Sequence, residues 1–233
     1  MLFRQIFDSQ SSTYTYLIAD ENTRAAVLVD PVIEHVERDY QLITELGLTL
    51  YYCLETHIHA DHITGTGKLR QLTKCSGIVP ENARASCADR HIQDREILHI
   101  DSITIEAIAT PGHTDSHMAY LVNGERILTG DALFIRGCGR TDFQSGDAGK
   151  LFDSVTQRLF TLPNQTLVYP GHDYRGYTVS TIGEEKHFNP RFQTHNRDSF
   201  IEFMGNLNLP NPQKIMEALP ANQRCGHGLV VHN

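Results

Sequence analysis

His57-Ile58-His59-Ala60-Asp61-His62 packs four potential metal ligands into six residues. The run stands close behind Leu50-Tyr51-Tyr52-Cys53-Leu54, a continuous apolar stretch that reads as a strand covered on both faces. Side chains alternate along a strand, so His57 and His59 point to one side of its end and can share one ion. Asp61 and His62 sit in the turn beyond, where the chain reverses into a helix expected over Ile63–Leu72, and they can face a second ion. Neutral imidazole and carboxylate suit zinc or iron, and no cysteine stands close enough for a structural zinc site. The bland alternative is a histidine-rich surface loop; a buried strand leading into so dense a cluster speaks against it.

Further along, three more polar residues follow predicted strands. His113 stands in Thr110-Pro111-Gly112-His113-Thr114, after a strand expected over Ile103–Ala109. Asp131 stands in Leu128-Thr129-Gly130-Asp131-Ala132, after Arg126–Thr129, and His172 in Tyr169-Pro170-Gly171-His172-Asp173-Tyr174, after Thr166–Tyr169. Taken singly, each reads as an ordinary core or surface residue. Taken together, these strand ends converge with the cluster on one site, for one ion or two. The remaining histidines (His35, His91, His99, His117, His187, His195, His227 and His232) lack this context and read as structural, with His117 set apart by its nearness to His113.

The rest of the chain supplies the layers. Tyr14–Ala19 and Ala25–Asp30 form a hairpin-like pair, and Glu34–Leu46 has a helical period stopped by Gly47. Strands are expected at Ser76–Val79 and Met118–Val122, and Leu151–Leu162 is an amphipathic helix with Leu151, Val155, Leu159 and Leu162 on one stripe. This pattern predicts sheets packed face to face with helices outside, a layered α/β sandwich. At 233 residues the chain fits one such domain over 1–180. From 181 to 233 Asn and Pro become frequent, which reads as a C-terminal extension with two short helices packed on that domain.

Lys and Arg total 20 against 28 Asp and Glu, a net charge of -8 with no basic block, which opposes nucleic-acid binding through phosphate neutralisation. No apolar run approaches the roughly 20 residues a membrane span needs. Met1–Ser12 has no apolar core and carries Asp8, so neither signal nor transit peptide is expected and the cytoplasm is the expected compartment. The five cysteines are odd in number, scattered and never spaced CxxC, which argues for a reduced compartment and against a disulfide frame.

The series HxHxDH at 57–62, then Gly112-His113, Gly130-Asp131 and Gly171-His172, resembles the metallo-β-lactamase superfamily. That likeness implies an αββα four-layer sandwich with the metal at one edge. The stretch Ile135-Arg136-Gly137-Cys138-Gly139-Arg140-Thr141-Asp142-Phe143-Gln144 is similar to the signature of the persulfide dioxygenases, also called sulfur dioxygenases. Phe3-Arg4-Gln5, Thr13–Leu17, Met204–Pro210 and Pro220–Gly226 carry the same likeness, so it covers nearly the whole chain. The resemblance implies one Fe(II) per chain, with zinc as its substitute in recombinant material, held by His57, His113 and Asp131, which are then also the catalytic residues. Such a two-histidine, one-carboxylate triad leaves positions open for substrates. It further implies glutathione persulfide and O2 as partners, with sulfite and glutathione as products; a homodimer is a further expectation, which the resemblance itself does not give. His59, Asp61, His62 and His172 then orient the ligands or hold a second ion. Glutathione carries two carboxylates, so an arginine anchor is expected; Arg140 leads, followed by Tyr174, Arg191 and Arg224. Cys138 reads as a packing thiol, with no general base beside it.

The competing reading is a glyoxalase II-type hydrolase, in which all seven side chains hold two metals and a bridging hydroxide attacks a glutathione thioester. A nuclease is opposed by the acidic balance, and a secreted β-lactamase by the expected lack of a signal peptide. A metal-binding scaffold would require a loss of catalytic ligands that the sequence does not show.

Overall fold

Every residue of β2 (Thr13–Ala19) is buried, and alternation sends Tyr16 and Ile18 to one face and Leu17 and Ala19 to the other. A strand buried on both faces needs a layer on each side. In the computed structural model, which describes residues 1–210 and 214–226, those layers are a second sheet and a pair of helices. Asn211 and Pro212 of the tail, with His227 and His232, lie outside the described residues.

The first sheet runs β1 (Leu2–Asp8), β2, β3 (Ala25–Val29), β4 (Thr49–Leu54), β5 (Ser76–Pro80) and β6 (Arg90–Ile92). Its first three strands pair antiparallel and its last three join in parallel. The second sheet runs, edge to edge, β12 (Ser180–Thr181), β11 (Leu167–Pro170), β10 (Arg126–Gly130), β9 (Met118–Val122), β8 (Ile103–Ala109) and β7 (Ile97–Ile100). Tyr16, Ile18, Val27, Leu54 and Ile78 meet Ile103, Ile105, Tyr120, Val122 and Leu128 between the sheets. Leu17, Leu28 and Cys53 lie on the other face of the first sheet, under Val36 and Ile43 of α1 (Val36–Glu45) and Leu69 of α2 (Thr66–Thr73). Across the molecule, Ala119, Leu121 and Ile127 lie under Leu151 of α3 (Ala148–Ser154), under Val155 and Leu159 in the π-helical turn that follows it, and under Phe200. These are the four layers of an αββα sandwich, as expected.

Some local expectations change. Tyr51 is 51% exposed rather than covered. The register between β3 and β4 shifts there, pairing Ala26 with Leu50 but Val27 with Tyr52, so Tyr51 is squeezed out as a bulge. Helix α2 begins at Thr66 instead of Ile63, because Ile63, Thr64 and Gly65 are tied to the segment after β3: Ile33 N–H donates to Ile63 O and Gly65 N–H to Pro31 O. Among the described residues the extension holds four helices instead of two: α4 (Ile182–Phe188), α5 (Pro190–Gln193), α6 (Arg197–Gly205) and α7 (Ile215–Asn222). Two of its asparagines are helix starts, not loop residues. Asn189 caps α5 with Pro190 at the first turn, and Asn196 forms a capping box with Ser199. The 180/181 division passes through β12, which joins the second sheet beside β11.

The expectation against disulfides is also corrected. Cys87 and Cys225 are bonded across 138 residues of sequence, bringing the turn after α7 against the segment after β5. Spacing along the chain carries no trace of so distant a partner. Among the described residues no helix is long and apolar enough to cross a membrane.

Candidate metal centre

The loop that leaves β4 is built around Asp30, at the end of β3. Its carboxylate accepts the Thr56 N–H at 2.7 Å and the Thr56 hydroxyl at 2.8 Å. Because that hydroxyl has given its proton to Asp30, its oxygen accepts from His57 Nδ1–H at 2.9 Å, which leaves the His57 Nε2 lone pair for a metal. Burial and the neighbouring imidazoles of His59, His113 and His117 hold the His57 pKa well below its usual range, so it is neutral, as a ligand must be. His59 turns Nε2 towards Asp30 Oδ1 at 3.1 Å and Glu55 Oε2 at 3.6 Å. Burial resists a charge on His59, but Asp30 outweighs it and raises the pKa to about 9. Glu55 is pushed up to about 7, by burial first and then by Asp30.

The second sheet supplies the other side. His113 Nδ1–H donates to the Arg140 carbonyl at 2.7 Å, so its Nε2 lone pair points elsewhere, 3.5 Å from Asp131 Oδ2. The other oxygen, Asp131 Oδ1, lies 2.6 Å from His172 Nδ1, while His172 Nε2 lies 3.0 Å from Asp61 Oδ2. Burial opposes charging His172, yet the two carboxylates overcome it and raise its pKa. The same pairing, with help from His113, overcomes burial and holds Asp131 at about 2, a carboxylate throughout the physiological range. Two glycines make room for it: a Cβ on Gly139 would lie 2.3 Å from Asp131 O, and one on Gly171 2.6 Å from Asp131 Oδ1.

His57, His113 and Asp131 each present one donor atom, all within 4.8 Å of one another. Bonds of about 2 Å place neighbouring ligand atoms about 3 Å apart, so this cluster needs only a small contraction around an ion. His59, Asp61 and His62 form an adjacent cluster at the same limit. His62 Nε2, on a ring whose pKa burial lowers, is buried with no hydrogen-bond partner among the described residues. An orphaned nitrogen beside a carboxylate is what a cation satisfies, so the donor set fits a metal. The seven strand-end side chains therefore come together as expected.

His117 does more than its sequence context suggested. It is buried, its ring stacks on His57 at 5.1 Å, and its Nε2 accepts the Asp131 N–H at 2.9 Å. The other nitrogen then donates to Thr110 Oγ1 at 2.8 Å. Burial drops its pKa to about 3. Asp30, Glu55 and Asn222 also contact the histidine-bearing loop without having been singled out; no local motif marks them.

Two cavities open at the cluster. One, of about 570 Å³, is lined by Asp61, His113, Asp131 and His172. The other, of about 830 Å³, holds Arg136, Arg175 and Arg191. Asp131, Arg140 and Tyr174 line both. Tyr174 is 71% exposed and its ring stacks over His172 at 6.0 Å. Arg140 grips Asp142 through two bonds of 2.6 Å, donates to the carbonyls of Leu209 and Pro210, and lies over Phe143 at 4.1 Å. Arg224 does not join them: exposed beyond α7, it lines a separate cavity with Arg84 and His91. Cys138 is a packing thiol whose pKa burial raises to about 12.

A sandwich with histidines and carboxylates gathered at the strand ends of both sheets defines a metal-site class of protein. The Metallo-beta-lactamase superfamily pattern matches residues 9–172. The human protein named Persulfide dioxygenase ETHE1, mitochondrial, is 50% identical over 97% of this chain and 89% of its own length. The crystal structure of ETHE1 from Myxococcus xanthus superposes with a TM-score of 0.95 at 55% identity, covering 97% of this chain and all of that one. A probable hydroxyacylglutathione hydrolase of Schizosaccharomyces pombe is 30% identical over 88% of this chain and 91% of its own length. The chain belongs to the metallo-β-lactamase superfamily and, within it, to the persulfide dioxygenase family.

Proposed function

We propose that this chain oxidises glutathione persulfide with O2, using one Fe(II) held by His57, His113 and Asp131. The observation that carries the reading is the pairing of this triad with an arginine-lined cavity that meets it at Asp131. Overall, one persulfide, one O2 and one water give glutathione, sulfite and two protons. Iron, when bound, supplies the one-electron chemistry that lets O2 react with a closed-shell sulfur, which redox-silent zinc does not.

The chain's own residues orient and select. Thr56 and the Arg140 carbonyl fix the tautomers of His57 and His113, and His172 holds Asp131. Among the described residues Arg175 and Arg191 have no carboxylate partner, which leaves their guanidiniums available to the carboxylates of glutathione. Arg140 and Tyr174 line both cavities, and in this reading they flank the persulfide end of the substrate.

A second reading has its own observation. The cluster His59, Asp61, His62 can take another ion, which would suit a dinuclear thioesterase of the hydroxyacylglutathione hydrolase type. One experiment separates the two. Protein loaded anaerobically with Fe(II) is given glutathione persulfide while O2 is followed, and zinc-loaded protein is given S-lactoylglutathione in parallel. Rapid O2 uptake with sulfite formation is expected; thioester cleavage without O2 uptake would move the assignment to the hydrolase.

A further inference from the structure

Asn222, the last residue of α7, is buried and directs its whole amide at the loop that carries His59, Asp61 and His62. Its Nδ2 donates to the carbonyls of His59 at 2.9 Å and His62 at 2.8 Å, and its Oδ1 accepts the Thr64 N–H at 2.8 Å. The turn that follows is docked on the same stretch. Cys225 O accepts from Gly67 N–H at 2.9 Å, and Gly226 lies so close that a Cβ there would be 2.1 Å from Thr64 O. The bond to Cys87 ties that turn down. Behind the loop is a void of about 10 Å³, room for one water, lined by Glu55, His57, His59 and Asn222. Neither Asn222 nor Cys225 lines the two cavities at the metal cluster.

The loop reaches Asp131 through a short chain of contacts. Asp61 Oδ2 lies 3.0 Å from His172 Nε2, and Thr13 Oγ1 touches both, at 3.1 Å and 3.0 Å. His172 Nδ1 in turn holds Asp131 Oδ1 at 2.6 Å, and the other oxygen of that carboxylate faces His113 Nε2. The rotation of Asp131 is set by His172, and His172 is set by Asp61. Asp61 stands on a backbone pinned on both sides, at the carbonyls of His59 and His62, by one amide group.

We propose that Asn222 is a positioning residue of the metal centre, acting through Asp61 and His172 to fix the Asp131 carboxylate. Its effect falls on metal retention and turnover, and not on substrate capture. The inference rests on His57, His113 and Asp131 as the ligand set, but not on which reaction they serve.

The test compares full-length protein with Asn222→Ala and Asn222→Asp, all loaded with Fe(II). The aspartate keeps the shape and the acceptor for Thr64 but turns an oxygen towards two carbonyls. Both variants are expected to release iron to a chelator about 10–100-fold faster, the usual effect of removing a group that orients a ligand. They should lower kcat with KM unchanged, and broaden the electron paramagnetic resonance spectrum of the nitric oxide adduct. A Cys87→Ser/Cys225→Ser double variant loosens the same turn but keeps the amide. It is expected to melt earlier while keeping the parent's iron release and spectrum. If the double variant reproduces the Asn222→Asp spectrum and release, general loosening suffices and the positioning role is overturned. Parental iron release and spectrum in Asn222→Asp overturn it equally. Iron release and spectrum need no substrate, so a parent that fails to oxidise persulfide would sink the proposed reaction and leave this result standing.

Discussion

The Asp131 N–H donates to His117 Nε2 at 2.9 Å, so a metal-facing carboxylate is anchored through its own backbone by a neutral histidine. His117→Ala leaves a buried N–H without a partner, at a cost of about 1–3 kcal/mol, and is expected to lower both stability and kcat. His117→Gln supplies an oxygen near the same place and should recover most of the loss. Equal damage from both variants would show that the hydrogen bond is not what matters there.

The same histidine predicts a pH dependence. Burial holds its pKa near 3 in the folded protein, while an unfolded chain takes up the proton below about 6.5. Between those values the unfolded state binds the extra proton, so this contribution to stability rises with pH and is lost as pH falls. Relative to His117→Gln, the parent should lose roughly 2 kcal/mol between pH 7 and pH 5, read from urea midpoints. Parallel curves for the two proteins would contradict it.

His113→Ala should remove iron and activity together. Only two protein ligands of the triad would remain, and the Arg140 carbonyl would lose its donor. Metal analysis after gel filtration checks this, with stoichiometric iron in the variant overturning the ligand set.

Arg140→Lys keeps the charge but loses the fork that grips Asp142 and the plane that lies on Phe143. The expectation is a rise in KM for glutathione persulfide equivalent to about 1.5–3 kcal/mol, with kcat changed less. A fall in melting temperature with unchanged KM would make Arg140 a strut between the signature loop and Leu209–Pro210, and not a substrate anchor.

Reducing the Cys87–Cys225 bond should destabilise the fold by about 3–5 kcal/mol, since it closes a loop of 138 residues. Melting with and without dithiothreitol measures the effect. Alkylation of unreduced, denatured protein should label only Cys53, Cys75 and Cys138; five labelled thiols would refute the bond.

Much of this site was legible because its ligands sit where strands stop. Local patterns locate strand ends well: β8 and β9 have the expected bounds, and both are buried by simple alternation or by continuous apolar runs. What escaped depends on partners far away in sequence. Strand β1 breaks its alternation at Arg4-Gln5 and is held by pairing along all of β2. Asn222 gains its role only when α7 folds back over the loop, and Cys225 only when Cys87 meets it. Arg224 looked like an anchor because it lies in a family-like tail, but its neighbours place it elsewhere. Composition marked the extension but undercounted its helices, two of which start at capping asparagines, Asn189 and Asn196.

His57 hangs from the first sheet, whereas His113 and Asp131 hang from the second. An ion shared among them is a rivet between the two halves of the sandwich. Anything that binds the folded state alone shifts its population, by about 4 kcal/mol when free ligand stands a thousandfold above its dissociation constant. With iron as the proposed ion, its supply would govern how long the protein survives as well as how fast it works: a cell short of iron would hold fewer intact copies, and a chelator would lower the protein's stability.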